Sequence, residues 1–456
     1  MRLFVFLAKN QLGSNNLMEK LTALQFFTDP VLRAPTIGAM LMCLASSLVG
    51  VMAFIKRRSL LGEALSHASY PGVVVGILFA ALFFDPSSFR ASLCVLLGAF
   101  IFSWFGLIAI ERLEKRLRIH PDAALCLVLS LFLGFGVTLA SRVQLTHPIW
   151  YQQIQVFLFG QAATMVDRHI GVYAFLAICI MAFVILRFRQ IELSHFDQEF
   201  TKSLGVQNKG GQRLTSILLI LALVIGIRSV GVVLMSGMLI APAAFARQLT
   251  NRLGRMFVWA GVVGVMSGFL GVYLSVQLPF LMNAHKPISL PTGPMILLVA
   301  VAFTFGALLF APKRGWIARK IRIRRFRRQC LADHLLKLLW KQGALSKGSL
   351  KKEMSLSSLA LTYLLFCCCK EGWVEGKKLI DLSSDGKRRG ARLVRLHRLW
   401  ELYLTSELKV EEDRVHCSAE EMEHILTPEI EERLTKLLKD PTEDPHKQPI
   451  PKREET

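Results

Sequence analysis

The sequence predicts an all-helical polytopic membrane bundle of about eight or nine spans, followed by a mainly helical soluble region that contains a winged helix-turn-helix. Three observations predict this. Hydrophobic residues make up 53% of the 456-residue chain, and the mean hydropathy is +0.43, a balance high for a soluble protein. Nearly all the long apolar runs precede Pro312, and most of the charge follows it. Beyond Cys330 the apolar residues recur with the period of soluble amphipathic helices.

Candidate spans, each long enough for a hydrocarbon core of roughly 30 Å, run near 34–55, 64–84, 91–110, 122–141, 169–187, 214–229, 230–246, 256–277 and 292–311. The stretch 214–246 is continuously apolar apart from Arg228 and reads as one hairpin or as two short helices. Residues 150–163, apolar with polar flanks, read as interfacial or re-entrant. Basic clusters at Lys56–Arg58, Glu111–Arg118, Arg187–Arg213, Arg247–Arg255 and from Lys313 onward all fall on one side of a nine-span arrangement. Positive charge marks the cytoplasmic side, so the C-terminal region is expected there and the N-terminus outside. The opening MRLFVFLAKN is too short an apolar patch for a secretory signal.

Three polar features interrupt the apolar half. EALSHASYPG, Glu63 to Gly72, places Glu63 and His67 on one helical face at the start of a span. Ionisable groups at membrane depth are costly, and carboxylate plus imidazole suits Mn, Fe or Zn; the alternative is an interfacial pair that caps or packs a helix. HFDQEFTKSLGV, His195 to Val206, reads as a short helix docking on a partner or as a solvated loop. VGVVLMSGMLIAPAAFAR, Val230 to Arg247, is rich in the small residues that allow close helix approach.

These blocks, with IERLEKRLRIHPDAAL, resemble in sequence and order the metal-ion ABC permeases that import Mn, Zn or Fe, over roughly residues 30–312. The resemblance implies that Glu63 and His67 lie on the ion path, and that Phe196, Asp197, Phe200 and Gly205 belong to the segment that couples to an ATPase. No GxxxxGK[ST] motif occurs, so it also implies a separate ATP-binding subunit. An extracytoplasmic metal-binding protein and a second permease subunit, identical or homologous, complete the expected assembly in a bacterial inner membrane. No catalytic constellation is expected.

Charge organises the remainder. Lys313 to Arg328 carries nine Lys/Arg and no Asp/Glu, and reads as a basic juxtamembrane linker, 313–329. Lys337 to Arg398 carries fourteen basic and five acidic residues, whereas Leu399 to the end carries eight basic and sixteen acidic. A basic module followed by an acidic one suggests contact first with polyanion and then with cations. The nine cysteines form no CxxC pair, and Cys367, Cys368 and Cys369 are adjacent, so reduced thiols are expected.

Within 330–395, ADHLLKLLWKQG reads as a helix ended by Gly343, and KGSLKKEMSLSSLALTYLLFCCCKEGW as two helices with a turn near Ser355–Ser358. WVEGKKLIDL offers two strands about Gly376, and a long helix starts near Ser384. This order is that of a winged helix-turn-helix, or of a small helical adaptor. As a DNA reader it would present the helix beginning at Ser357, Ser358 and Thr362 to the groove, flanked by Lys377, Lys378, Lys387 and Arg388. In 396–456, His397 and Glu401 lie four apart, His416 follows, and Glu420, Glu423 and His424 share one helical face. Oxygen and nitrogen donors without thiolate favour Mn(II) or Fe(II); a solvated Glu/His stripe is the alternative.

RLHRLWELYL, VHCSAEEMEHILTPEIEERL and DPTEDPHKQPIP resemble the diphtheria-toxin-repressor family of metal-dependent regulators, across roughly Cys330–Pro451. The resemblance implies a main metal site of Asp333, Glu420, Glu423 and His424, an ancillary site of His397, Glu401 and His416, dimerisation, and operator DNA as partner. Glu420 matches the manganese-type pattern, whereas Leu336 stands where that type adds a glutamate, so the metal is left between Mn(II) and Fe(II). The order of the two parts, permease then repressor, resembles that of permease–repressor fusions.

Overall fold

The computed structural model describes residues 23–452 except 57–58, 85–87, 147, 161, 163–164, 197–208, 282–289, 411–421 and 423–425. It divides into two compact units, Met1–Ala318 and Arg319–Thr456.

The first unit is helical throughout its described residues. After a short turn of helix at Gln25–Thr28 come α1 (Pro30–Ile55), α2 (Ser59–Phe83), α3 (Phe89–Lys115), α4 (Pro121–Thr146), α5 (Pro148–Phe159), α6 (Asp167–Leu186), α7 (Phe188–Phe196), α8 (Lys209–Val230), α9 (Val232–Leu249), α10 (Leu253–Leu281) and α11 (Thr292–Phe310). Local chemistry sets the starts. Asp29 caps α1, its side chain accepting from the Val31 amide at 2.8 Å with Pro30 in the first turn, and Ser88 caps α3 by accepting from the Ala91 amide. Arg33 near the start of α1 pairs with Asp167 at the start of α6, 2.7 Å apart.

All nine apolar stretches form helices, and seven helices among the described residues are long and apolar enough to cross a membrane: α1, α2, α3, α4, α6, α10 and α11. The stretch 214–246 resolves into α8 and α9, broken at Gly231 with φ 97°, a conformation that L side chains rarely adopt. The segment near 150–163 is α5, twelve residues, too short to cross; Trp150, Ile154 and Phe157 are buried against the bundle. Its end touches the α8/α9 break, where a methyl group on Gly160 would lie 2.2 Å from the Val230 carbonyl carbon.

Two helices form the centre. α1 packs against α6, α8, α9 and α10, and α2 against α3, α4, α5, α8 and α9. At the α2–α3 crossing a methyl group on Gly72 would lie 2.2 Å from the Gly98 carbonyl oxygen, and one on Gly98 2.4 Å from that of Gly72. Contact this close needs glycine on both helices, the small-residue packing that serves where water supplies no driving force between helices.

The second unit begins within α12 (Trp316–Gln342), continuing through β1 (Leu345–Ser346), α13 (Lys347–Glu353), α14 (Ser358–Lys370), β2 (Val374–Glu375), β3 (Leu379–Leu382), α15 (Ser384–Ser406) and α16 (Pro428–Leu437). The basic stretch expected as a linker is helical from Trp316 onward, because no glycine or proline interrupts 316–342 and most of its residues are good helix formers. Serines cap three helices: Ser346 for α13, Ser357 for α14 and Ser383 for α15. The strands form an antiparallel sheet in the order β1-β3-β2, with Val374 opposite Leu382 and Leu345 opposite Ile380. The two-residue β1 was not anticipated. Its core joins α12, α13, α14, the sheet and α15 through Leu335, Leu336, Leu350, Leu365, Ile380 and Leu393. A smaller cluster of Leu396, Leu426 and Leu434, with Trp400 and Tyr403, holds α16.

Candidate functional sites

Glu63 and His67 occupy the second and third turns of α2 and share a face. His67 is 8% exposed, Glu63 is half-buried, and Nδ1 of His67 has no hydrogen-bond partner among the described residues. Nearby hydroxyls are already committed. Ser66 donates to the Gly62 carbonyl at 2.8 Å, Ser69 to the Ser66 carbonyl, and Ser103 of α3 to the Leu65 carbonyl at 3.2 Å. α2 meets α9 here: a methyl group on Gly62 would lie 2.7 Å from Cδ1 of Leu239, and one on Gly50 of α1 2.0 Å from the Leu239 carbonyl oxygen. The fold thus brings the EALSHASYPG and VGVVLMSGMLIAPAAFAR blocks together in the bundle core. Phe196 is the last residue of α7; its side chain, with Asp197, Phe200 and Gly205, lies outside the described residues.

In the second unit Ser357 caps α14, its Oγ accepting from the Ala360 amide at 3.3 Å, while Ser358 and Thr362 are exposed on that helix. Lys377 and Lys378 are exposed in the β2–β3 turn, and Lys387 and Arg388 on the first turns of α15, where Arg388 pairs with Asp385. The outer face of α14 also presents Leu359, Tyr363 and Phe366, all more than half exposed, which sequence reasoning missed. Burial pushes the Cys368 thiol up to about 12, which keeps it protonated and unreactive, as expected of a structural cysteine.

Part of the basic surplus of this region is engaged internally. Arg389 pairs with Asp333, and its guanidinium lies 4.1 Å from the Trp373 ring centroid. Arg392 pairs with Glu431 at 3.0 Å and Arg398 with Asp444 at 3.3 Å. Arg395, 3% exposed, donates to the Pro451 carbonyl at 2.8 Å and pairs with Glu431 at 3.7 Å and Asp440 at 3.4 Å. These four arginines recur every third residue along α15, so the row winds around the helix from Asp333 on α12 to Asp444 near the C-terminus. Arg395→Ala leaves the buried Pro451 carbonyl without this donor, while Glu431 keeps Arg392, at a cost of about 1–3 kcal/mol. A clear fall in the urea midpoint of the C-terminal unit is expected by tryptophan fluorescence; an unchanged midpoint refutes the clamp.

Of the expected metal ligands, Asp333 is 1% exposed, and its Oδ1 accepts from Nε and Nη2 of Arg389 at 3.0 and 2.8 Å. His397 and Glu401 are buried and adjacent, Nε2 to Oε1 at 3.1 Å. His416, Glu420, Glu423 and His424 lie outside the described residues, and among the described residues no three His, Cys, Asp or Glu side chains cluster as a metal site. Leu336 is fully buried in the core.

Residues 28–311 match the ABC 3 transport family, and residues 383–452 match the iron dependent repressor, metal binding and dimerisation domain. The chain is 38% identical over 443 residues to a probable metal transport system membrane protein of Chlamydia trachomatis, spanning 94% of this chain and 97% of that one. It is 30% identical over 412 residues to the manganese transport system membrane protein MntC of Bacillus subtilis, spanning 88% and 90%. The structure of PsaBC from Streptococcus pneumoniae in complex with Fab shares the fold, at TM-score 0.55 and 24% identity over 65% of this chain and 98% of that one. The protein is therefore a multi-pass membrane permease rather than an enzyme: it belongs to the ABC 3 transport family and carries a repressor-type metal-binding and dimerisation domain in the same polypeptide.

Proposed function

We propose that the chain is the permease subunit of an ATP-driven importer for manganese or iron, fused to a metal-activated transcriptional repressor. The observation that carries the transport reading is the buried His67, with an unpartnered ring nitrogen one turn from Glu63 on a central helix. A hard carboxylate and a borderline imidazole suit Mn(II) and Fe(II), and zinc less, and manganese is the metal named for the Bacillus subtilis relative. The ion is handed over by an extracytoplasmic binding protein, and a separate ATP-binding subunit docks at Phe196, Asp197, Phe200 and Gly205. Two permease subunits, identical or homologous, form the pathway in a bacterial inner membrane, with the C-terminal region cytoplasmic. In proteoliposomes holding these partners, uptake of radioactive manganese is expected to need ATP and to survive an uncoupler. Uptake driven by an ion gradient without the ATPase would refute the importer.

The repressor reading is supported by the helix order of 330–395, a winged helix-turn-helix with α14 as reading helix and the β2–β3 turn as wing. Ser357, Ser358 and Thr362 face the groove in this reading, and Lys377, Lys378, Lys387 and Arg388 neutralise phosphates. Asp333, Glu420, Glu423 and His424 would hold the co-repressor ion, and residues 396–456 dimerise. One observation favours a second reading, in which the region senses metal and gates transport in cis without DNA: Arg389, Arg392, Arg395 and Arg398 are engaged internally, leaving a smaller basic surface. Deleting residues 330–456 separates the two. Loss of metal-dependent inhibition of uptake supports gating, whereas unchanged uptake with loss of operator repression supports the repressor.

A further inference from the structure

We infer that the His397–Glu401 pair takes no metal ion in this chain, because the Lys337 ammonium already serves as its cation. Nζ of Lys337 on α12 lies 3.1 Å from Nδ1 of His397 on α15, and Nε2 of the same ring lies 3.1 Å from Oε1 of Glu401. All three side chains are buried, at 7%, 4% and 2% exposure. An ammonium can only donate, so Nδ1 accepts, and the ring proton sits on Nε2 facing Glu401. Both ring nitrogens are thereby engaged: one lone pair holds Lys337, and the other position carries hydrogen. The charges of Lys337 and Glu401 cancel within the trio.

These residues do not fit the ancillary metal site that sequence resemblance implies. A metal ion would have to strip Nδ1 from Lys337 or the proton from Nε2. The first leaves a buried ammonium without that partner, beside a new divalent charge that repels it; the second brings the same repulsion. Lys337 instead ties α12 to α15, one helical turn from the Asp333–Arg389 pair that does the same. The two links alternate in sign, Asp333 with Arg389 and Lys337 with Glu401 through His397, so among the described residues each carboxylate is matched by a cation of the protein itself. Any metal sensing by the domain is then left to the Asp333, Glu420, Glu423 and His424 set.

The inference rests on the C-terminal region being a metal-binding domain, and the test keeps the two apart. Full-length protein in detergent is titrated with Mn(II), and bound equivalents are counted by the loss of the free-ion electron paramagnetic resonance signal. Wild type and His397→Ala are expected to bind equal numbers; a loss of one equivalent in His397→Ala overturns the inference. Lys337→Ala and Lys337→Met, which remove the ammonium from Nδ1, are each expected to gain one equivalent, and a folded variant of either kind without the gain shows that Lys337 is not what excludes the ion. Glu423→Ala is expected to lose one equivalent. An unchanged count there sinks the metal-domain reading alone, since His397→Ala still reports on the trio.

Discussion

His67→Ala is expected to abolish ATP-driven metal uptake, by at least about 100-fold or roughly 2.7 kcal/mol of lost stabilisation, while membrane insertion and subunit assembly stay as in the wild type. Glu63→Ala is expected to behave alike. The argument is one of accounting for polar groups at depth. Helices in a bilayer satisfy their backbone internally, and Ser66, Ser69 and Ser103 dispose of their hydroxyls on backbone carbonyls. His67 does not: it is buried, and its Nδ1 is unpartnered among the described residues. An unsatisfied buried nitrogen is destabilising unless something visits it. Glu63, four residues earlier, offers a carboxylate on the same face, so the visitor expected there is a cation. If the pair merely packs α2 against α9, then His67→Gln, similar in size and still polar, transports normally. Vesicle uptake with the partner subunits present decides between these outcomes, and unchanged uptake in both alanine variants removes the pair from the ion path.

Much of this architecture was legible in the sequence because period and punctuation are local. Apolar length located the membrane helices, Gly343 marked a real helix end, and the serines at 355–358 and Ser384 marked real helix starts. What escaped depended on partners distant in sequence. The basic surplus of 337–398 looked like a polyanion surface, yet Lys337, Arg389, Arg392, Arg395 and Arg398 meet acceptors in other elements up to 60 residues away. Composition reports the sign of a charge and not whether a carboxylate stands opposite it. Likewise Asp333 and His397 were legible as ligand types, whereas Arg389 and Lys337 as their protein partners were not. The stretch 214–246, open in sequence between one hairpin and two short helices, divides into α8 and α9 at Gly231, whose φ of 97° no apolar pattern reports.

Metal is expected to raise operator affinity of the 313–456 fragment by two orders of magnitude or more, and His424→Ala and Asp333→Ala are each expected to remove that response. An ion shifts a two-state equilibrium only through contacts that differ between the states, and moving a population from 1:99 to 99:1 takes about 5.5 kcal/mol. Ligands on separate elements can supply such a difference: Asp333 lies on α12, whereas Glu420, Glu423 and His424 follow α15 in sequence. The structure adds a competitor. Oδ1 of Asp333 accepts twice from Arg389, so recruiting this carboxylate to an ion weakens an existing buried pair. Arg389→Gln is therefore expected to lower the Mn(II) concentration needed for half-maximal DNA binding, by about tenfold for roughly 1.4 kcal/mol of lost competition. If Arg389 instead holds Asp333 ready for the ion, the same change raises that concentration. Gel-shift titrations in Mn(II), in Fe(II) under anaerobic conditions and in chelator read both effects. Because Lys377, Lys378, Lys387 and Arg388 are exposed and would neutralise phosphates in the repressor reading, affinity is also expected to fall steeply with salt. Equal binding in chelator and in metal would exclude metal activation whatever the salt response.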